Sequence, residues 1–319
     1  MEYFHFPNGD SIPLLGLGTW KAAPGVVYEA VRNAIKIGYR HIDCASIYGN
    51  EADVGKALRD AIAAGDVSRA ELWITSKLWN DCHLPETVSP ALRRSLTDLG
   101  LDYLDLFLIH WPVAFAPGVT FPRRREDYLT LEQIPLQQTW EALHACLSTG
   151  LVRHVGVSNF SQRKLEELVS AGSPAPEVNQ VEMHPLLSQK KLLDYCQQLG
   201  MLVTAYSPLG SGDRAPAYRG ASEPDLLVQE TIVDIAREHP ASAAQVLLAW
   251  ALNRGVAVIP KAVQPAHQMV NLQATELKLT DDDTARINAL DQHYRFLSGT
   301  FLAGKNSPYT VGGIWDEGY

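Results

Sequence analysis

The chain has 319 residues, 46% of them hydrophobic and 20% charged, with a net charge of −9. This length and apolar content suit one large core, and the acidity argues against nucleic-acid binding, which usually presents a basic face. No apolar run reaches the roughly 18–20 residues of a membrane helix, and residues 1–20 carry no basic stretch leading into an apolar one, so neither a membrane span nor a secretory signal is read.

In chain order, short apolar runs alternate with amphipathic ones. The opening segment contains Asn8-Gly9, a strong hairpin signal, and reads as a small cover ahead of the main fold. Strands are expected near Leu15–Gly18, Arg40–Asp43, Leu72–Lys77, Leu104–His110, Arg153–Ser158, Val178–Glu182, Leu202–Ser207 and Ala257–Lys261. Helical spacing lies between them at Val26–Ile37, Glu51–Ala63, Leu84–Leu99, Pro135–Thr149, Gln162–Ala171 and Ser188–Leu199. Several of these runs meet a glycine just past their end, where a helix readily takes a left-handed cap. Ser242-x-x-Gln245 ahead of Val246–Leu252 reads as a capping box. Strand–helix alternation with short links predicts an α/β fold, a (β/α)8 TIM barrel with an N-terminal β-hairpin cover, in one domain spanning residues 1–319. Trp111–Ile134, Gly210–Pro224 and Leu297–Tyr319 exceed ordinary loop lengths. The first two follow predicted strands four and seven, on the rim where a barrel enzyme binds its substrate.

Cys44, Cys82, Cys146 and Cys196 show no CxxC spacing. They are read as free thiols of a reducing compartment, the cytoplasm. His41 and Asp43 form an HxD pattern with Cys44 behind it, but strand alternation turns Cys44 to the other side and no second histidine pair has suitable spacing, so no metal site is expected.

Asp43, Tyr48, Lys77 and His110 are far apart in the chain, and each follows or ends a run that reads as a strand. Buried strands do not normally end in an acid, a phenol, an amine and an imidazole. A (β/α)8 barrel gathers such residues at its C-terminal rim. An acid, a lysine and a tyrosine brought together can make a proton donor. An ammonium beside Tyr48 favours its phenolate and eases release of the proton, and Asp43 can hold that ammonium in place. His110 can donate to a carbonyl oxygen and orient it. Trp20, Trp79 and Trp111 each follow a predicted strand and suit a rigid apolar wall around such a pocket. Arg123-Arg124-Arg125 reads as a solvated charge run, placed where it can also meet an anionic substrate.

The words GLGTW (Gly16–Trp20), HIDCASIYGNE (His41–Glu51), SKLW (Ser76–Trp79), LIHWP (Leu108–Pro112), GVSNF (Gly156–Phe160), NQVEMHP (Asn179–Pro185), YSPLGSG (Tyr206–Gly212) and IPKA (Ile259–Ala262) stand in order at barrel spacing. Together they resemble the aldo-keto reductase superfamily, from about Gly16 to Asn271. The resemblance implies an NADPH-dependent reductase of aldehydes and some ketones, usually a monomer, with a small carbonyl compound as its partner. It makes Asp43, Tyr48, Lys77 and His110 the catalytic tetrad, with Trp20, Tyr48, Trp79, His110 and Trp111 facing the substrate. For the cofactor it implies Thr19, Trp20 and Asp43, with Ser158, Asn159 and Gln180 at the carboxamide and Tyr206 under the nicotinamide ring. Ser207, Leu209 and Ser211 wrap the pyrophosphate, Lys261 and His267 serve the 2′-phosphate, and Asn271 faces the adenine. Gly16-x-Gly18 lacks a third glycine and a following helix, so a Rossmann fingerprint is not read. The phosphate clamp departs from the family pattern: Ala262 lacks a hydroxyl, and His267 stands where an arginine is common. A neutral imidazole is a poorer phosphate partner than a guanidinium fork, so a preference for NADPH is expected in weakened form, with NADH left open. Two rival readings remain, a non-catalytic cofactor-binding regulatory subunit of the same fold and a metal-dependent barrel hydrolase.

Overall fold

The computed structural model describes residues 2–214, 219 and 223–317. Positions 215–218 and 220–222 of the long loop after the seventh barrel strand, and 318–319 of the tail, lie outside the described residues.

The chain opens with β1 (Tyr3–His5) and β2 (Ser11–Pro13), an antiparallel pair turned at Gly9, where φ is +91°. Eight parallel strands follow: β3 (Leu17–Gly18), β4 (His41–Asp43), β5 (Trp73–Leu78), β6 (Leu104–Ile109), β9 (Val152–Ser158), β10 (Val178–Glu182), β11 (Leu202–Tyr206) and β12 (Ala257–Val258). Neighbours in space follow chain order, and parallel bridges Leu15–Val258 and Gly18–Lys261 join the last strand to the first. The seam is hydrogen-bonded by Gly16 N to Val258 O at 2.8 Å and Val258 N to Leu14 O at 2.7 Å, so the sheet closes into a barrel. Gly18 is required at this seam, because a Cβ there would sit 2.6 Å from Ile259 O.

The crossovers are α1 (Val26–Ile37), α2 (Glu51–Ala63), α3 (Pro85–Leu99), α4 (Leu136–Ala145), α5 (Gln162–Ser170) and α6 (Lys190–Gln198). The periodicity works as physics predicts in α1: Val27, Ala30, Val31, Ala34 and Ile35 are its buried residues, one stripe at helical spacing. Expected and observed bounds coincide for α1 and α2. The predicted 135–149 helix relaxes into a 3₁₀ turn, Cys146–Thr149, at its end. Beyond β11 stand α7 (Glu230–Glu238) and α8 (Ala243–Leu252). The capping box expected at α8 is present, with Gln245 N donating to Ser242 Oγ at 3.3 Å and Ser242 N to Gln245 Oε1 at 2.8 Å. The chain ends in α9 (Pro265–Gln273), α10 (Asp281–Asn288) and a short α11 (Val311–Trp315).

On the rim, the loop after β6 carries a small antiparallel pair, β7 (Ala114–Phe115) and β8 (Tyr128–Leu129). The hairpin cover docks at the other end. Asp10 pairs with Arg153 and, at 2.9 Å, with His154, whose other nitrogen meets Glu177 at 3.1 Å. Phe6 stacks on the His154 ring at 4.2 Å. One end of the barrel is thereby plugged, and the other stays open for chemistry.

Candidate active site

Four elements deliver the floor of the open end. Asp43 ends β4, Lys77 lies in β5, and His110 follows β6. Tyr48 closes the 3₁₀ turn Ser46–Tyr48 just beyond β4. Inward alternation along the buried strands aims Asp43 and Lys77 at the axis. Lys77 Nζ donates to Asp43 Oδ2 at 2.5 Å, to Cys44 O at 2.8 Å and to Tyr48 Oη at 3.3 Å. The other carboxylate oxygen of Asp43 accepts from Gln180 Nε2 at 2.8 Å. The His110 ring stands edge-on to Tyr48, 5.8 Å between centroids. The four residues named from sequence therefore meet in one place.

Burial shapes their ionisation. It works against the Lys77 ammonium, but Asp43 and Tyr48 outweigh it, and the lysine pKa is raised. Burial also pushes the Tyr48 phenol up to about 12, with Lys77 pulling the other way and losing. The expected pull of the ammonium on Tyr48 is present, but desolvation outweighs it, so Lys77 limits the rise. Burial, then the charge of Lys77, holds His110 well below the usual imidazole range, so it faces the cavity neutral. Its Nδ1 has no hydrogen-bond partner.

Above this floor lies a cavity of about 1170 Å³. Trp20, Trp79 and Trp111 all line it, with Ile47, Phe121, Pro122 and Phe301. Trp79 packs edge-on to His110 at 5.2 Å, and Trp111 edge-on to Phe301 at 5.4 Å. Arg123, Arg124 and Arg125 lie outside the lining. Arg124 is instead paired with Glu126 at 3.1 Å and Asp127 at 3.2 Å.

The other flank carries Ser158, Asn159, Gln180, Tyr206, Ser207, Leu209 and Ser211, all in the lining. Asn159 Nδ2 donates to His110 O at 2.8 Å, and its Oδ1 accepts from Tyr206 Oη at 2.7 Å. Asn159 and Ser207 hold positive φ, +62° and +49°. Such strain in non-glycine residues gathers at ligand clamps. Lys261 lines the cavity, but its ammonium meets Asp213 at 2.6 Å, and Lys21 meets the same carboxylate at 2.8 Å. Thr19, His267 and Asn271 lie outside the lining. Thr19 Oγ1 donates to Asp43 O at 2.8 Å and braces the floor. His267 is exposed on α9, and Asn271 is buried there.

Sequence reasoning places Gly210–Pro224 on the rim and marks Leu297–Tyr319 as a long segment, but it names neither Lys21 nor Asp213 nor residues 296–301 as lining of this cavity. Lys21 and Asp213 are 192 positions apart, so no local pattern signals their pairing.

A parallel barrel whose open end gathers a buried acid–lysine–tyrosine chain and a neutral imidazole defines a class of barrel oxidoreductases. A model of the Aldo/keto reductase family matches residues 14–292, and the chain belongs to that family. It is 53% identical over 317 residues to an aldo/keto reductase of Synechocystis sp., covering 99% of this chain and 97% of that one. It is 44% identical over 308 residues to aldo-keto reductase family 1 member A1 of Rattus norvegicus and to the protein of that name of Homo sapiens, covering 96% of this chain and 94% of each. Among the described residues no group of three or more His, Cys, Asp or Glu could hold a metal ion.

Proposed function

We propose that this protein reduces aldehydes, and some ketones, to alcohols with NADPH, and that Tyr48 is the proton donor. The observation that carries this reading is the Asp43–Lys77–Tyr48 chain, hydrogen-bonded at 2.5 and 3.3 Å, beside a neutral His110 at the floor of an aromatic cavity. The cavity exceeds the ~300–1,000 Å³ of an ordinary small-ligand pocket, which leaves room for a dinucleotide and a carbonyl compound together. Asn159 and Gln180 offer an amide-rich flank for a carboxamide, and Tyr206 offers a ring face. The same residues, with Ser158, Ser207, Leu209 and Ser211, are the ones that would hold the cofactor.

A bound nicotinamide dinucleotide supplies the hydride. His110 donates to the carbonyl oxygen and fixes the substrate between Trp20, Trp79 and Trp111. As negative charge develops on that oxygen, Tyr48 transfers its proton to it. A pKa near 12 does not hinder this step, because an alkoxide is a far stronger base than a phenolate. Lys77 stabilises the phenolate that remains, and Asp43 keeps Lys77 charged and aimed. Lys261 is the fixed charge proposed for the 2′-phosphate, with Asp213 as its partner in the free protein.

We also read the chain as one domain acting as a monomer in the cytoplasm. Four buried free cysteines support a reducing compartment. The test is a panel of aldehydes, ketones and sugars run with NADPH and with NADH. Oxidation of NADPH dependent on an aldehyde is the expected result. Cofactor binding with no oxidation by any carbonyl compound would sink the reductase reading.

A further inference from the structure

Glu182 ends β10 with a carboxylate that is fully buried. A buried carboxylate is destabilising unless donors surround it. Three do. Oε1 accepts from Phe296 N at 2.6 Å and from His184 Nε2 at 2.8 Å, and Oε2 accepts from Leu297 N at 2.7 Å. Two of these donors are consecutive backbone amides lying 114 and 115 residues away. The same stretch is held from its other side, where Arg214 Nη1 donates to Phe296 O at 2.6 Å. His184 also packs its ring against Phe296, 4.8 Å between centroids.

This anchor sits where the two halves of the cavity meet. On the strand side, Glu182 is in register with Tyr206 and lies two residues past Gln180, and both of those line the cavity. On the other side, residues 296–301 line it without interruption and end at Phe301, which packs on Trp111. This wall is pinned by Glu182 at Phe296 and Leu297, and further along at Ser298 O, which accepts from Trp315 Nε1 at 2.7 Å. At the first anchor the acceptor is a carboxylate, which offers one oxygen to each of the two adjacent amides.

Building on the reductase reading, we infer that Glu182 is a positioning residue for the carbonyl pocket: it fixes the peptide at Phe296 and Leu297 and so sets the wall that grips the distal part of a bulky substrate. Glu182 touches no reacting atom. Its effect grows with the size of the substrate, because a small aldehyde reaches only the floor at Tyr48 and His110.

Glu182→Gln keeps the shape but has a single acceptor oxygen, and its NH2 group confronts one of the two amides. Glu182→Asp keeps both oxygens on a shorter arm. The full-length enzyme is assayed with propanal and with 2-naphthaldehyde, and amide exchange is followed at Phe296 and Leu297. In Glu182→Gln the KM for 2-naphthaldehyde should rise about tenfold, the loss expected of one orphaned buried amide, while propanal kinetics stay within about twofold. Protection of the two amides should fall together with that rise, and Glu182→Asp should recover part of both. Phe301→Ala should give the same selective loss, and combining it with Glu182→Gln should add little. Equal losses on the two aldehydes, or an unchanged KM for both, would overturn the assignment. So would full amide protection in Glu182→Gln. If the wild-type protein turned over neither of these aldehydes nor any other carbonyl compound of the panel, the reductase reading would fall. Quenching of the cavity tryptophans by 2-naphthaldehyde would then replace the KM, and an unchanged affinity in Glu182→Gln would overturn the anchor as well.

Discussion

Tyr48 keeps its proton in the free enzyme because burial outweighs the neighbouring ammonium, with a pKa of about 12. Tyr48→Phe removes that proton and nothing else of the ring. Turnover should fall at least ~10²-fold, the range of a general acid, with NADPH affinity by fluorescence titration nearly unchanged. Wild-type turnover in the variant would exclude Tyr48 as donor. Lys77 needs a more careful test. Lys77→Met alone strands Asp43 as a buried charge, which costs about 3–5 kcal/mol. The double variant Lys77→Met/Asp43→Asn should regain most of that stability in a denaturant melt yet remain inactive. Recovery of activity along with stability would mean that the lysine matters only structurally. The residue scale was where the sequence was most legible. Asp43, Tyr48, Lys77 and His110 were named from their places after strands, and all four converge. The direction of the Tyr48 shift was not legible, since it depends on how dry the floor is.

At the scale of elements, α2 and α3 illustrate what a pattern leaves out. Gly55 sits inside α2, where glycine lowers helix stability by about 1 kcal/mol relative to alanine. A Cβ there would collide with the backbone carbonyl of Leu99, and a carbonyl cannot swing aside like a side chain. Gly55→Ala should therefore destabilise by about 1–3 kcal/mol despite its better propensity, read as a lower denaturation midpoint at unchanged slope. A stabilised variant would show that the two helices can move apart freely. The loop after β11 offers a second test. Lys261 and Lys21 share Asp213 across the cavity, so Lys261 has two tasks under our reading, the phosphate and the loop. Lys261→Ala should raise KM for NADPH more than for NADH, whereas Asp213→Asn should weaken both cofactors alike. If both variants affected the two cofactors equally, Lys261 would not read the phosphate. His267→Arg carries less promise than its sequence position suggests, because His267 lies outside the cavity lining.

For the molecule as a whole, the buried histidines set the response to acid. Burial depresses His41 to about 4 and His83 to about 3, and holds His110 well below its usual range. Their folded-state values lie below the unfolded value of 6.5, so the unfolded chain binds more protons below that pH. The stability they confer is fully present above 6.5 and is lost as pH falls toward 4. Each such group contributes a slope of about 1.4 kcal/mol per pH unit in that window. His154, between Asp10 and Glu177, is shifted upward and opposes the trend, its own contribution fading as pH rises through its raised value. Melting temperature should fall by several degrees between pH 7 and pH 5. His83→Leu should flatten that fall, because neither ring nitrogen of His83 has a partner to lose. An unchanged pH slope in His83→Leu would remove His83 from the account.

Local patterns in the chain suffice for the barrel, its strand order, the ends of α1 and α2, the capping box of α8 and the residues of the floor. These rest on short-range physics: alternation, helical spacing, caps, and the rule that strand ends in a parallel barrel share one rim. Four later helices, α7, α9, α10 and the short α11, escaped that reading. α8 is apolar all round, so its own pattern marks no single face for a neighbour, and α7 and α9 pack against it while α10 packs on α7. Features that depend on distant segments meeting in a dry place emerge only in the folded molecule. Examples are the raised phenol of Tyr48, the shared Asp213 between Lys21 and Lys261, and the grip of Glu182 on Phe296 and Leu297. Local pattern cannot carry these features, because each is set by burial and by contacts across a hundred residues or more, or by how closely two backbones approach.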